Sequence, residues 1–187
     1  MNSYKALSIQ KFSIDNYSIV PIRFEDRMDI LKWRNEQIYH LRQDAPLTEI
    51  DQENYFSNVI SKIFDLEQPN QMLFSYLEND ICIGYGGLVH INWIDKNAEI
   101  SFIMNTRLEN EYFNFHWKNY LKLIERVAFK NLHLHKIFIY AFDLRPHLYN
   151  VIEDQCYINE ARLKDHCLFN NKHIDVLIYS KLSNYEK

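Results

Sequence analysis

Glycine is scarce in this sequence: Gly84, Gly86 and Gly87 are the only three among 187 residues, and they fall within four positions. Glycine permits backbone conformations and close approaches that a side chain prevents. The clustering therefore predicts a local backbone requirement in this one segment.

Cysteine is also sparse. Cys82, Cys156 and Cys167 are odd in number, widely spaced and without a CxxC pair, which fits reduced thiols in a cytoplasmic protein. The eight histidines lack a ligand spacing such as HExxH. We therefore expect no metal site.

The sequence has neither a basic surplus nor a long apolar run. A net charge of -4 and a pI near 6.1 provide no field to hold a phosphate backbone, so nucleic acid is not an expected partner. No run approaches the roughly 20 apolar residues that span a bilayer, and the first residues lack the features of a signal peptide. The expectation is a soluble cytoplasmic protein without a membrane partner.

What the sequence does have is apolar and aromatic residues, at 47% and 15%. This apolar content is enough for one substantial hydrophobic core, and 187 residues are too few for two domains of ordinary size. We expect a single domain over residues 17–187, with residues 1–16 as an N-terminal extension or an extra strand.

Hydrophobic periodicity predicts the order strand, two helices, three strands, helix, strand, helix, two strands. The predicted strands cover 17–22, 72–77, 81–93, 98–105, 135–142, 158–169 and 173–182. The predicted helical segments cover 24–42, 48–64, 120–128 and 145–157. This order predicts an α/β (α+β) fold in which helices cover a mixed sheet.

Several segments carry a family resemblance: IGYGGL, AEISFIMN, LKLIERVAF, LHKIFIYAF and EARLKDH, together with the triplet Trp33-Arg34-Asn35. Over residues 18–182 the chain resembles the GNAT N-acetyltransferase superfamily, particularly the branch of ribosomal-protein alanine acetyltransferases and nucleotide-linked amino-sugar N-acetyltransferases. The resemblance implies a mostly antiparallel central sheet that splays at two parallel strands, flanked by about four helices.

The resemblance also implies acetyl-CoA as co-substrate, with its pantetheine arm on the exposed strand edge near Ile103 and Asn105. The family's glycine-containing pyrophosphate loop aligns with residues 112–117, where neither glycine is present. The candidates to meet the phosphates instead are Asn114, His116, Lys118 and Arg145. Two outcomes stay open: a shifted acyl-CoA pose, or aromatic side chains at 113, 115 and 117 that close the cleft and exclude a transferase.

Three residues are candidates for catalysis. Glu99 matches an acidic position of the branch and could take the proton of the amine; the alternative is a cross-strand ion-pair partner. His90 is a second candidate base, because imidazole titrates near neutral pH; the alternative is a core histidine. Tyr149 is a weak candidate to protonate the thiolate, since Ile152 occupies the family's tyrosine position.

For the acceptor, Arg34, Asn35 and Arg42 could bind a nucleotide diphosphate or another acidic group, and Trp33 and Trp93 complete the candidate acceptor wall. The leading hypothesis is an acetyltransferase for a small amine, a nucleotide-linked amino sugar. The alternatives are acetylation of a protein N-terminus or side-chain amine, and a catalytically silent GNAT-like binding or assembly module. A homodimer is compatible with each.

Overall fold

The computed structural model describes residues 2–41 and 43–183, and its central element is one eight-stranded sheet in the order β1-β2-β3-β4-β5-β6-β8-β7. The strands are β1 (Phe12–Ile14), β2 (Tyr17–Pro21), β3 (Met72–Glu78), β4 (Ile81–Asn92), β5 (Asn97–Met104), β6 (Lys136–Phe142), β7 (Ile158–Phe169) and β8 (Lys172–Leu182). The strands predicted from the sequence are therefore confirmed, and β1 adds a short edge strand to them.

Helices cover the sheet. They are α1 (Arg27–Glu36), α2 (Glu49–Tyr55), α3 (Ser61–Ile63), α4 (Thr106–Glu111), α5 (Phe113–Glu125) and α6 (Pro146–Asp154). A π-helical turn at Phe56–Ile60 joins α2 to α3, and another at Arg126–Asn131 extends α5. Within the described part of the chain, no helix is long and apolar enough to cross a membrane.

The sheet splays between β5 and β6, its only parallel pair in the described residues. The ladder joins Asn97 to Lys136, Ala98 to Ile137, and Glu99 to Phe138, and then stops. The expectation of a mostly antiparallel sheet that opens at two parallel strands is confirmed. Residues 100–104 keep their pairing with β4 on one side and face a gap on the other.

Helix α5 fills the concave side of the sheet with a fully buried face. Tyr120 stacks flat on Phe102 of β5, with ring centroids 3.8 Å apart and planes 7° from parallel, and Leu121, Leu123 and Ile124 are fully buried. Each such side chain contributes roughly 1.5–3 kcal/mol through removal from water. This packing fixes the position of β5, the strand that borders the gap.

The three glycines allow close packing in β4. None has a positive φ. A Cβ on Gly86 would lie 2.1 Å from the carbonyl oxygen of Ser101 and 2.7 Å from the hydroxyl of Tyr120, and one on Gly87 would lie 1.9 Å from the carbonyl oxygen of Met72. The predicted local requirement is confirmed, and its cause is close approach of neighbouring strands and of α5.

The segment after β5 corrects the sequence interpretation. From the sequence we expect the pyrophosphate loop at residues 112–117 and a helical segment at 120–128. Instead α4 follows β5 at once and α5 begins at Phe113, so that residues 113–117 are helical. Without glycine, these residues follow the helix-forming preference of their neighbours.

Candidate active site

A cleft of about 390 Å³ occupies the gap between β5 and β6. Ile103 and Glu99 line it from β5, Ile139 and Ala141 from β6, and Trp117 of α5 lies in its wall. An open strand edge of this kind offers backbone donors and acceptors to an extended ligand with amides. The described residues thus contain a cleft that is bordered by an unpaired strand edge.

Glu99 and His90 meet at the closed end of this cleft. The Glu99 side chain is only 11% exposed, and its Oε2 lies 3.0 Å from Nδ1 of His90. A bulge brings them together: between Val89 and Asn92, β4 advances three residues while β5 advances two. At the bulge His90 takes a left-handed backbone, with φ 51°, which re-aims its side chain.

The alternative of a core histidine at position 90 is wrong, because the His90 side chain is 67% exposed. A bulge changes which face of the strand its residues present, and His90 lies at this bulge. The resulting pair joins a buried carboxylate to a solvent-exposed imidazole.

Arg34 is the acceptor candidate that reaches the cleft. Its Nη1 donates to the hydroxyl of Tyr85 at 2.7 Å, and its Nε donates to Oε1 of Gln43 at 3.1 Å. Arg34 lines both the β5–β6 cleft and a second cavity of about 450 Å³ between the sheet and helices α1 and α2, which Tyr85 and Tyr55 also line. The two cavities therefore share a wall that carries a fixed guanidinium group.

The other acceptor candidates have structural contacts. Trp33 is buried in the core. Both amide atoms of Asn35 bond the backbone of Leu47, each at 2.8 Å, and Nε1 of Trp93 donates to the carbonyl of Pro69 at 2.9 Å. Arg42 lies outside the described residues. The structure thus brings only Arg34 of the described candidates to the cavities.

Asn105, a candidate for contact with the pantetheine arm, and the candidates for phosphate contact are mostly engaged elsewhere. Asn105 caps α4 through a bond from the backbone N–H of Arg107. His116 is buried with Nδ1 3.2 Å from the hydroxyl of Tyr76, and burial lowers its pKa. Lys118 pairs with Asp154 at 2.7 Å. Asn114 is exposed in the first turn of α5.

Arg145 lies at the mouth of the cleft but is paired with a buried carboxylate. Its Nη1 is 2.9 Å from Oε1 of Glu109, and the two side chains are 12% and 5% exposed. Burial raises the pKa of Glu109, and Arg145 opposes that shift. His40, 3.5 Å from the same Nη1, has its pKa lowered to about 3 by burial and by Arg145.

Sequence analysis missed Glu109 and His40. Glu109 precedes its partner Arg145 by 36 positions, and no motif joins them. A buried ion pair between distant helices leaves no local signal in a sequence, whereas periodicity within a helix does.

Tyr149 is not brought to the Glu99–His90 pair. Its hydroxyl donates to Oδ1 of Asp143 at 2.7 Å, and its ring stacks on Tyr179. Burial and the bond to Asp143 raise the pKa of Tyr149. Unlike Glu99 and His90, it does not line the cleft.

The aromatic residues of α5 leave the cleft open. Phe115 is exposed and packs edge-on against Tyr17, and Phe113 lies against His147. Trp117 forms part of the wall, with its Nε1 buried and without a hydrogen-bond partner among the described residues. The described residues also contain no group of three His, Cys, Asp or Glu side chains that could hold a metal ion.

Known proteins share this architecture. The spermidine N-acetyltransferase of Vibrio cholerae, in complex with CoA and spermine, superposes with a TM-score of 0.79 at 17% identity, over 91% of this chain and 97% of that one. A dodecameric structure of the spermidine N-acetyltransferase from Vibrio cholerae in an intermediate state gives a TM-score of 0.72 at 19% identity, over 90% and 95%. At these identities the likeness shows the fold.

The family is shown by the sequence itself. The family model described as an acetyltransferase (GNAT) domain matches residues 19–178, which include every strand from β3 to β7 and the whole β5–β6 gap. The chain therefore belongs to the GNAT acetyltransferase family, and acetyl-CoA is its expected co-substrate.

Proposed function

We propose that this GNAT acetyltransferase acetylates a small amine that carries an anionic group, namely a nucleotide-linked amino sugar. The observation that carries the proposal is the position of Arg34, whose guanidinium group lines both the β5–β6 cleft and the adjoining cavity. Tyr85 and Gln43 hold the group in place. A fixed guanidinium favours a phosphate or carboxylate, with which it forms paired hydrogen bonds.

In this proposal Glu99 and His90 act on the amine. An amine attacks a thioester only in its unprotonated form, so a base must take up its proton. Glu99 receives that proton at the closed end of the cleft, and His90, bonded to it at 3.0 Å and exposed to water, carries the proton away. Acetyl-CoA supplies the thioester and a thiolate leaving group.

The leaving thiolate needs a proton in its turn. Tyr149 is the candidate acid from the sequence analysis. It can protonate the thiolate only if its hydroxyl gives up its hydrogen bond to Asp143 and donates to the thiolate sulfur instead. Its raised pKa keeps the phenol protonated at neutral pH. The assignment of Tyr149 therefore depends on a movement of α6 or of the ligand.

A polyamine acceptor is the second candidate, since the Vibrio cholerae protein was crystallised with spermine. Arg34 argues against it, because a polycation entering either cavity would meet a fixed positive charge at short range. A peptide amine lacks a specific observation in its favour.

Acetyl transfer decides between these acceptors. Purified protein is given acetyl-CoA with a UDP-linked amino sugar, with spermidine, or with a peptide that has a free N-terminus, and free thiol is measured. We expect turnover with the sugar nucleotide at a kcat/KM about tenfold or more above that with spermidine. Preference for spermidine would contradict the proposed acceptor. If calorimetry detects no heat of binding with millimolar acetyl-CoA, the proposal that the protein is an acetyltransferase is contradicted.

A further inference from the structure

The mouth of the β5–β6 cleft differs in chemistry from its interior. Acetyl-CoA has two unlike parts: an uncharged arm with amide groups, and a nucleotide end with several phosphate charges. In an extended ligand whose thioester lies near Glu99, the nucleotide end reaches the carboxyl ends of β5 and β6. Glu109 of α4, Phe113 of α5 and Arg145 at the start of α6 belong to the elements that follow those strand ends.

The arginine at this mouth, Arg145, is already neutralised. Arg145 is bound to Glu109 at 2.9 Å, with both side chains nearly buried. Its guanidinium also lies over the rings of Phe113 and Trp117, at 5.8 and 5.9 Å. Turning Arg145 toward a phosphate would leave the Glu109 carboxylate buried without its partner, which is strongly unfavourable.

The carboxylates on the surface beside the mouth are paired with arginines, Glu109 with Arg145 and Glu111 with Arg107. The depression around the first turn of α5 is lined by Glu109, Glu111, Asn114 and Phe115, with His147 as its one basic side chain within the described residues. Lys118, farther along α5, is held by Asp154. Phosphates that approach this helix start therefore meet ion pairs and aromatic rings.

The interior of the cleft suits the uncharged arm. Ile103, Ile139 and Ala141 give apolar walls, and the β5 edge over residues 100–104 has no ladder partner on the β6 side. Trp117, in the wall of the cleft, has a buried N–H without a hydrogen-bond partner in the described part of the chain. A buried donor of this kind is stabilised when a ligand carbonyl accepts from it.

We infer that the chain recognises its acyl donor through the pantetheine arm and not through the nucleotide diphosphate, so that acetyl-pantetheine is a donor nearly equal to acetyl-CoA. The inference rests on the proposed acetyl-transfer function. It assigns two roles: Glu109 keeps Arg145 from the phosphates, and Trp117 Nε1 donates to a carbonyl oxygen of the arm.

Calorimetry with the intact wild-type chain tests the inference directly. Acetyl-CoA and acetyl-pantetheine are titrated under the same conditions, and we expect dissociation constants within about fivefold of each other. Tighter binding of acetyl-CoA by about 100-fold or more, the size expected from several charge-assisted bonds to phosphate, would overturn the inference and leave the proposed function intact. Absence of binding by both compounds would overturn both.

Variants assign the residues. E109Q frees the Arg145 guanidinium, so acetyl-CoA should bind about tenfold tighter while acetyl-pantetheine binds as before. E160Q is the matched control, because Glu160 pairs with Lys136 at the opposite end of β6, and it should change neither affinity. W117F should weaken the binding of acetyl-CoA and of acetyl-pantetheine by the same factor. Equal responses of the two ligands to E109Q would contradict the role of Glu109, and the wild-type titration decides the main inference even if a variant does not fold.

Discussion

His90 Nδ1 lies 3.0 Å from Glu99 Oε2 across the bulge that interrupts the pairing of β4 with β5. One partner is nearly buried at the closed end of the cleft, and the other is exposed. Bulges are often found beside active sites, where they re-aim a side chain. Here the bulge gives a buried carboxylate a hydrogen-bonded contact with a solvent-exposed imidazole.

Replacement of Glu99 by glutamine tests the proposed base. E99Q keeps the size of the side chain but cannot take a proton, so kcat should fall about 100-fold or more. The affinity for acetyl-CoA, measured by calorimetry, should stay within about twofold of wild type. A wild-type kcat in E99Q would remove Glu99 from the mechanism.

His90 is tested by H90N, because asparagine tolerates the left-handed backbone at this position better than alanine does. The variant removes the proton carrier and keeps the bulge. We expect kcat to fall about tenfold or more, with the thermal midpoint nearly unchanged. If H90N and wild type share the same kcat across the pH range, His90 serves only as a surface ion-pair partner.

Arg34 determines the acceptor in our proposal. R34M removes the guanidinium and keeps an unbranched side chain, so KM for an anionic acceptor should rise about 10-fold to 100-fold. R107M is the control, since Arg107 is an exposed arginine whose bond is to Glu111. An unchanged KM in R34M would exclude an anion contact at this position.

Stability should fall as the pH drops below the ordinary range of histidine. Burial lowers the pKa of His40 to about 3. Below about pH 6.5, His40 therefore binds a proton in the unfolded chain but stays neutral in the native chain. The free energy of unfolding should then decrease by about 1.4 kcal/mol per pH unit from this residue. Urea unfolding between pH 5 and 7 measures the slope.

H40Q removes the His40 part of that slope. His116, whose pKa is also lowered by burial, keeps its own part, so the slope should be reduced but not abolished. Identical slopes in H40Q and wild type would contradict the assignment to His40.

Glycine at position 86 should be indispensable for stability. The Cβ of G86A would lie 2.1 Å from the Ser101 carbonyl oxygen, whereas that of G84A would lie 2.8 Å from the Ile103 carbonyl oxygen. G86A should therefore lose about 3 kcal/mol or more of the free energy of unfolding, and G84A less. Urea denaturation gives both values, and the reverse order would contradict this account of the glycine cluster.

The strands and the opening of the sheet could be predicted from the sequence, because alternation and apolar runs are local and the family resemblance supplied the topology. The segment 106–117 could not, since α4 has no counterpart in the predicted order and the family loop at 112–117 falls on the start of α5. The glycines that such a loop requires are missing there. The order of elements taken from the family resemblance includes the loop whether or not its glycines are present.

The candidate site was predicted less completely than the fold. Glu99 and Arg34 line the cleft, but their chemical roles remain predictions. Trp33 and His116 are predicted from the family resemblance, and their burial depends on packing from other elements. The Glu109–Arg145 pair joins α4 to the start of α6, a contact that only the tertiary structure creates.

The short parallel ladder has a mechanical consequence. Strands β1 to β5 and strands β6 to β8 are each continuous in sequence, and the chain passes between these two groups once, through α4 and α5. Only Asn97, Ala98 and Glu99 join them edge to edge. A ligand that enters between residues 100–104 and β6 therefore breaks no ladder hydrogen bond.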